Sequence, residues 1–217
     1  LMLSLIFDMD GTLFQTDRIL ETSLHDTFNH LRSKELWEQN TPIEKYREIM
    51  GVPLPVVWEN LLPGYSDQIR QQANEWFHEK LIANIEAGHG ALYPYVEEFF
   101  LYCKEKSIPI YIASNGQIEY LNAIVTYYHL DEWVTETFSI QQISSQNKSD
   151  LVRSIVEKYK ITHGMVIGDR LSDIKAAKDN DLISIGCNFD FAQADELAQA
   201  DRVIDSFEEL KTLIGVL

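Results

Sequence analysis

Short apolar runs recur along the chain, separated by stretches in which apolar residues return every three or four positions. Runs 3–7, 108–113, 138–140, 165–167 and 182–185 read as strands, with 202–204 a weaker strand at a sheet edge. Between them, Val96, Phe99, Phe100 and Cys103 share one helical face. So do Ile118, Leu121, Val125 and Tyr128, and again Val152, Ile155, Val156 and Tyr159. Ser206-Phe207-Glu208-Glu209 has the spacing of a capping box opening the last helix. Apolar strands alternating with helices predict an α/β fold, a Rossmann-like parallel sheet flanked by helices on both sides.

Residues 15–87 break the alternation. They contain no good strand and read as helices throughout, with Leu20, Leu24, Phe28 and Leu31 on one face of the first. Thr41-Pro42-Ile43-Glu44 combines an N-cap, a first-turn proline and a capping-box glutamate, with Gly51 closing that short helix. Pro53 and Pro55 interrupt before a helix over 56–61. Ser66 then caps a long helix carrying Ile69, Ala73, Trp76, Leu81 and Ile85, which ends at Gly88. A crossover of this length inside a compact sheet is implausible, so the block is expected to be an insertion. The expected division is a core of 1–14 with 88–217 and an inserted all-helical domain of 15–87.

Charge narrows the partners. A formal net charge of −16 disfavours nucleic acid and anionic membrane, because both reward a basic surface. No apolar stretch approaches the roughly 20 residues of a membrane span, and no leader of basic, apolar and small residues opens the chain. Cys103 and Cys187 give no disulfide framework and suit a reducing compartment, so a cytoplasmic protein, monomer or homodimer, is expected. Asn147-Lys148-Ser149 matches a glycosylation sequon by chance in such a chain.

The chemistry gathers after the strands. In an open α/β sheet, ligands bind at the carboxyl ends of the strands. There the sequence places Asp8-Met9-Asp10-Gly11-Thr12, then Ser114-Asn115-Gly116, then a loop through Ser144, Ser145 and Gln146 to Lys148, then Gly168-Asp169 with Asp173 four residues on. Asp8 and Asp10 start on a shared face, being two apart, and Gly11 permits a sharp turn. Two carboxylates side by side after a buried strand need a counter-charge. A hard cation such as Mg²⁺ takes oxygen ligands and offsets the repulsion. Ser114, Asn115 and Lys148 supply donors for phosphate oxygens.

Taken together, Asp-x-Asp-Gly-Thr after an apolar strand, a later Ser-Asn, an isolated lysine and Gly-Asp-x-x-x-Asp resemble the four ordered motifs of the haloacid dehalogenase superfamily. The insertion resembles the mobile cap of its phosphoglycolate-phosphatase-like and β-phosphoglucomutase-like branch. The resemblance implies a Mg²⁺-dependent phosphatase for a small phosphorylated metabolite, with Asp8 as nucleophile and Asp10 as acid and then base. It implies Asp8, the Asp10 main-chain carbonyl and Asp169 as metal ligands, with Asp173 acting behind them. Ser114 would hold a phosphate oxygen, Asn115 orient the nearby loop or phosphate, Lys148 neutralise nucleophile and phosphate, and Thr12 brace the turn. One departure stands out. Many relatives follow the lysine with proline, whereas this chain has Ser149-Asp150, and Arg170 adds a charge with no assigned target.

A sugar-phosphate mutase would use the same residues. A dehalogenase does not need the second aspartate of the first motif, and a Schiff-base hydrolase would need a marked cap lysine, which Lys34, Lys45 and Lys80 do not provide. A non-catalytic binding protein on the same fold has no need of Asp8, Asp10, Lys148 and Asp169 together.

Overall fold

The computed structural model describes residues 2–49 and 52–216. Six parallel strands form one sheet in the order β3-β2-β1-β4-β5-β6. They are β1 (Ser4–Phe7), β2 (Ile110–Ser114), β3 (Glu136–Ser139), β4 (Gly164–Gly168), β5 (Ile183–Cys187) and β6 (Arg202–Ile204). The helices of the sheet unit are α5 (Val96–Glu105), α6 (Ile118–Tyr127), α7 (Lys148–Tyr159), α8 (Leu171–Asp179), the short α9 (Ala194–Leu197) and α10 (Phe207–Gly215). Numbering is continuous with α1 to α4 of the helical unit: α1 (Asp17–Ser33), α2 (Ile43–Glu48), α3 (Leu54–Leu61) and α4 (Asp67–Glu86). The expected edge strand is β6, and the α/β class and parallel sheet are as the apolar pattern implies.

All four residues of β1 are buried, as a central strand covered on both faces requires. Phe7 packs edge-on to Phe99 and Phe100 of α5, and its ring lies 6.1 Å from that of Phe207 at the start of α10. Burying one such side chain contributes about 1.5–3 kcal/mol. On the other face Ile6 joins a cluster with Val166, Leu151, Val152 and Ile155 of α7 and Ala176 and Ala177 of α8. β1 therefore lies between two apolar layers, with β2 on one side and β4 on the other. Chain order reverses at that point, which opens a crevice at the strand ends.

The chain divides into two compact units, Leu1–Thr16 with Ala91–Leu217, and Asp17–Gly90. Residues around the crossing belong with the sheet because they pair with each other. Gln15 N–H donates to the Ala91 carbonyl at 2.8 Å, Tyr93 N–H to that of Leu13 at 2.9 Å, and Phe14 bridges Leu92. Within the helical unit α1 lies against α4, and an aromatic cluster fills the centre. Phe28 meets Trp37 edge-on at 4.9 Å and Trp58 stacked at 6.3 Å, and Trp58 meets Phe77 at 5.8 Å. Ser66 Oγ accepts from Ile69 N–H and caps α4 as its spacing predicts. No helix among the described residues is long and apolar enough to cross a membrane.

Several local expectations differ from the structure. α2 begins after Pro42 with no side-chain cap, because the Thr41 hydroxyl is taken by the Arg32 guanidinium and the His25 ring. Gly51, its expected stop, lies outside the described residues. Ser206 does cap α10, yet Glu209 reaches back to Asp205 N–H rather than closing the box on Ser206. On α1 the buried stripe runs through Ile19 rather than Leu20, and on α4 Phe77 is buried where Trp76 is only half-buried. α6 turns a different face inward: Tyr120, Leu121 and Ile124 are buried, while Ile118 is 42 % exposed.

Candidate active site

At the carboxyl end of β1 the ladder persists one residue, with Asp8 N–H donating to the Ile167 carbonyl at 2.9 Å. Met9 then turns its side chain into the core, fully buried, and its carbonyl accepts from the N–H groups of Thr12, Leu13 and Phe14. That knot folds the chain back so that Gly11 N–H reaches the Phe14 carbonyl. Gly11 sits at φ +75°, and a Cβ there would lie 2.3 Å from Asp169 Oδ2 and 2.7 Å from the Phe191 ring. Only glycine satisfies both the backbone and the space.

Four groups from different elements converge beside this turn. Lys148 Nζ stands 2.7 Å from Asp8 Oδ1 and 2.5 Å from Asp173 Oδ1, with all three side chains buried. Asp169, at the end of β4, accepts from the Thr12 hydroxyl at 3.1 Å. Carboxylate oxygens of Asp8, Asp169 and Asp173 lie within 4.8 Å of one another. The Asp10 carboxylate is not in that group; its Oδ1 accepts from the hydroxyls of Thr16 at 2.6 Å and Tyr120 at 2.5 Å.

Each member is placed by ordinary local structure. Lys148 is the first residue of α7, whose N-cap is Asn147, with Asn147 Oδ1 accepting from Ser149 N–H at 2.8 Å. Ser149 anchors the same turn by donating to Asp179 at 2.6 Å. A cation at a helix N-terminus is disfavoured by the dipole, so the two aspartates beside Lys148 offset an unfavourable position. Asp173 has two jobs: Oδ2 accepts from Arg170 N–H at the start of α8, and Oδ1 pairs with Lys148. Arg170, unassigned from sequence, pairs with Glu196 at 2.9 Å, and the same Glu196 oxygen accepts from Leu171 N–H. Ser114 is buried at the end of β2, and its Oγ accepts from Gly116 N–H at 3.0 Å, which leaves its own O–H to donate. Asn115, one residue on, is exposed.

The electrostatics ask for a cation. Three buried carboxylates face one ammonium. Burial, then the charges of Asp8 and Asp173, push the Asp169 carboxyl up to about 9. Burial and Asp8 push Asp173 up to about 6 against the pull of Lys148. Burial works against the Lys148 ammonium, but Asp173 and Asp8 outweigh it and hold its pKa above the ordinary lysine range. Acids that retain protons beside a permanently charged lysine mark a site short of positive charge. A hard divalent cation with oxygen ligands fits that deficit. Burial raises the Asp10 carboxyl too, opposed by Thr16, Tyr120 and Lys148.

Tyr120 and Thr16 were not predicted as site residues. The signal for Tyr120 was its place in the first turn of the helix that follows the Ser114 loop, at the sheet's carboxyl edge. Periodicity pointed to the neighbouring face instead.

The chain is similar in sequence and in structure to known proteins. The chain is 22% identical over 238 residues to protein CbbY of Cereibacter sphaeroides, covering 98% of this chain and 96% of that one. It is 20% identical to the pyrophosphatase PpaX of Listeria monocytogenes, covering 97% and 95%. In structure it is similar to a putative β-phosphoglucomutase from Thermotoga maritima, with TM-score 0.81, 21% identity and full coverage of both chains. The model of the haloacid dehalogenase-like hydrolases matches residues 3–181, and the chain belongs to that family.

Proposed function

We propose that the chain is a Mg²⁺-dependent phosphatase that hydrolyses a small phosphorylated metabolite through a phospho-aspartate at Asp8. One observation carries this reading: Asp8, Lys148, Asp169 and Asp173 meet in one buried cluster at the switch point of the sheet, with Asp10 two residues from Asp8. The name of one relative, a pyrophosphatase, supports phosphorus chemistry.

In this scheme Asp8 attacks phosphorus and forms an acyl phosphate as the bond to the leaving oxygen breaks. Asp10 gives its proton to that oxygen and afterwards takes one from the water that attacks phosphorus, which releases phosphate and restores Asp8. Lys148 stays charged throughout and faces the negative charge that gathers on the phosphoryl oxygens. The Ser114 hydroxyl donates to a phosphate oxygen, and the exposed Asn115 amide lies next to it in sequence. Asp8, Asp169 and the Asp10 main-chain carbonyl would hold Mg²⁺, which when bound supplies charge neutralisation at the phosphoryl group. Asp173 holds Lys148 in place behind them. The helical unit, inserted between β1 and β2, is assigned substrate selection.

The test is hydrolysis of an aryl phosphate by wild type and Asp8→Asn, with Mg²⁺ and with chelator. Wild type turns over only with Mg²⁺, and Asp8→Asn loses at least about 10³-fold, in line with removal of a nucleophile. Equal rates for the two proteins overturn the assignment.

A further inference from the structure

Among the groups beside the cluster, Tyr120 and Thr16 are two that the scheme above does not use. Tyr120 is 5 % exposed, comes from α6 on the far side of the Ser114 loop, and aims its phenol at one oxygen of Asp10. Thr16 aims its hydroxyl at the same oxygen, Oδ1, at 2.6 Å against 2.5 Å for Tyr120. Among the described residues no hydrogen bond falls on Oδ2. A carboxyl oxygen offers two lone pairs, and both on Oδ1 now have a donor.

We infer that Tyr120 is a positioning residue for proton transfer: with Thr16 it fills Asp10 Oδ1 and so confines the transferable proton to Oδ2. The inference rests on Asp10 being the general acid and adds which oxygen acts and what selects it. A phenol keeps its proton at neutral pH, so Tyr120 remains a donor through both half-reactions. When Asp10 is the acid, Oδ1 is its carbonyl-like oxygen and Oδ2 carries the proton toward the leaving group. When it is the base, Oδ2 is the free oxygen that faces water. The same two hydroxyls serve both halves without moving.

The reading separates substrates by leaving group. An alkyl phosphate needs a proton on its departing oxygen, whereas a nitrophenyl phosphate leaves as a stable anion and needs little help. The parameter kcat/KM reports only steps up to the first irreversible one, here loss of the leaving group, so the later base step drops out. The experiment compares kcat/KM for an alkyl and a nitrophenyl phosphate, in wild type, Tyr120→Phe, Asp10→Asn and the double variant, with Mg²⁺ saturating. Asp10→Asn lowers the alkyl-to-aryl ratio by about 10²-fold or more. Tyr120→Phe keeps the ring and lowers the same ratio by about tenfold, because the carboxyl loses its fixed orientation. In the Asp10→Asn background Tyr120→Phe changes the ratio no further. Thr16→Val removes the other donor and reads the same restriction should Tyr120→Phe fold poorly.

Equal losses on both substrates in Tyr120→Phe, or a further fall of the ratio in the double variant, overturn the role of Tyr120 while Asp10 stands as the acid. An unchanged ratio in Asp10→Asn overturns the general-acid reading itself, and the positioning role with it.

Discussion

Replacing Lys148 with methionine removes the ammonium and keeps an unbranched stem. Its Nζ lies 2.7 Å from Asp8 and 2.5 Å from Asp173, with the side chain 4 % exposed. At an effective dielectric of about 20, the two separations correspond to about 6 and 7 kcal/mol of attraction. Desolvating the ions takes back several kcal/mol apiece, and removing one partner of a buried pair costs about 3–5 kcal/mol net. For a chain of this size that is a fall in Tm of roughly 6–20 °C, at about 2–4 °C per kcal/mol. The loss depends on pH, because the abandoned acids can take up protons instead. Asp173 sits near 6 and Asp169 near 9 while Lys148 is present, and its removal raises both. An acid raised in the folded state contributes stability that is present at low pH and lost as pH rises through its folded value. The penalty is therefore small at pH 5, grows as pH rises through about 6 where Asp173 titrates, and is still growing at pH 9. Thermal melts of both proteins in chelator, followed by circular dichroism at pH 5, 7 and 9, measure it. A difference under about 2 °C at pH 9, or the same difference at pH 5 and 9, refutes the account of the cluster as a buried network short of positive charge.

Two further outcomes follow from the same geometry. With Asp169 holding its proton up to about 9, metal binding must displace it. Calorimetry with Mg²⁺ in buffers of different ionisation enthalpy will show proton release near neutral pH and affinity that rises toward pH 9; affinity that is flat with pH contradicts it. Gly168→Ala places a Cβ 2.2 Å from Asp173 Cγ, against a side chain pinned by Lys148 and Arg170. It should cost about 1–3 kcal/mol through overpacking and weaken Mg²⁺ binding in the same titration; wild-type stability and affinity would show that Asp173 is not fixed as described.

The strand ends were readable because their chemistry departs from their surroundings. Asp8, Asp169 and Ser114 each follow an apolar run, and nothing in a buried strand explains a polar group there except a site. Lys148 was readable only from its place in the series, since a lysine opening a helix looks like any surface lysine until Asp8 and Asp173 are found beside it. The face of α6 was not readable for a plain reason. Ile118, Tyr120, Leu121, Ile124, Val125, Tyr127 and Tyr128 wrap the helix with apolar or aromatic groups nearly all round, so periodicity admits more than one inward face. Packing chose the face with Tyr120, Leu121 and Ile124. Thr41 failed as a cap because two distant side chains compete for its hydroxyl, a contact that no local spacing reveals.

The clasp between residues 13–15 and 91–93 has an evolutionary meaning. The two ends of the 17–90 segment are already tied together by backbone hydrogen bonds that belong to the sheet unit. The entropy of closing that long loop is thus met at the base, and it grows only slowly with whatever length is spliced between. The sheet is a socket and the helical segment a cartridge. Recombination at these two crossings can exchange one cartridge for another without disturbing the register of β1 or the aspartates at its end. On the reading proposed above, in which the helical segment selects the substrate, new preferences would then arise by replacement of a whole module, with the chemistry of the socket left as it was.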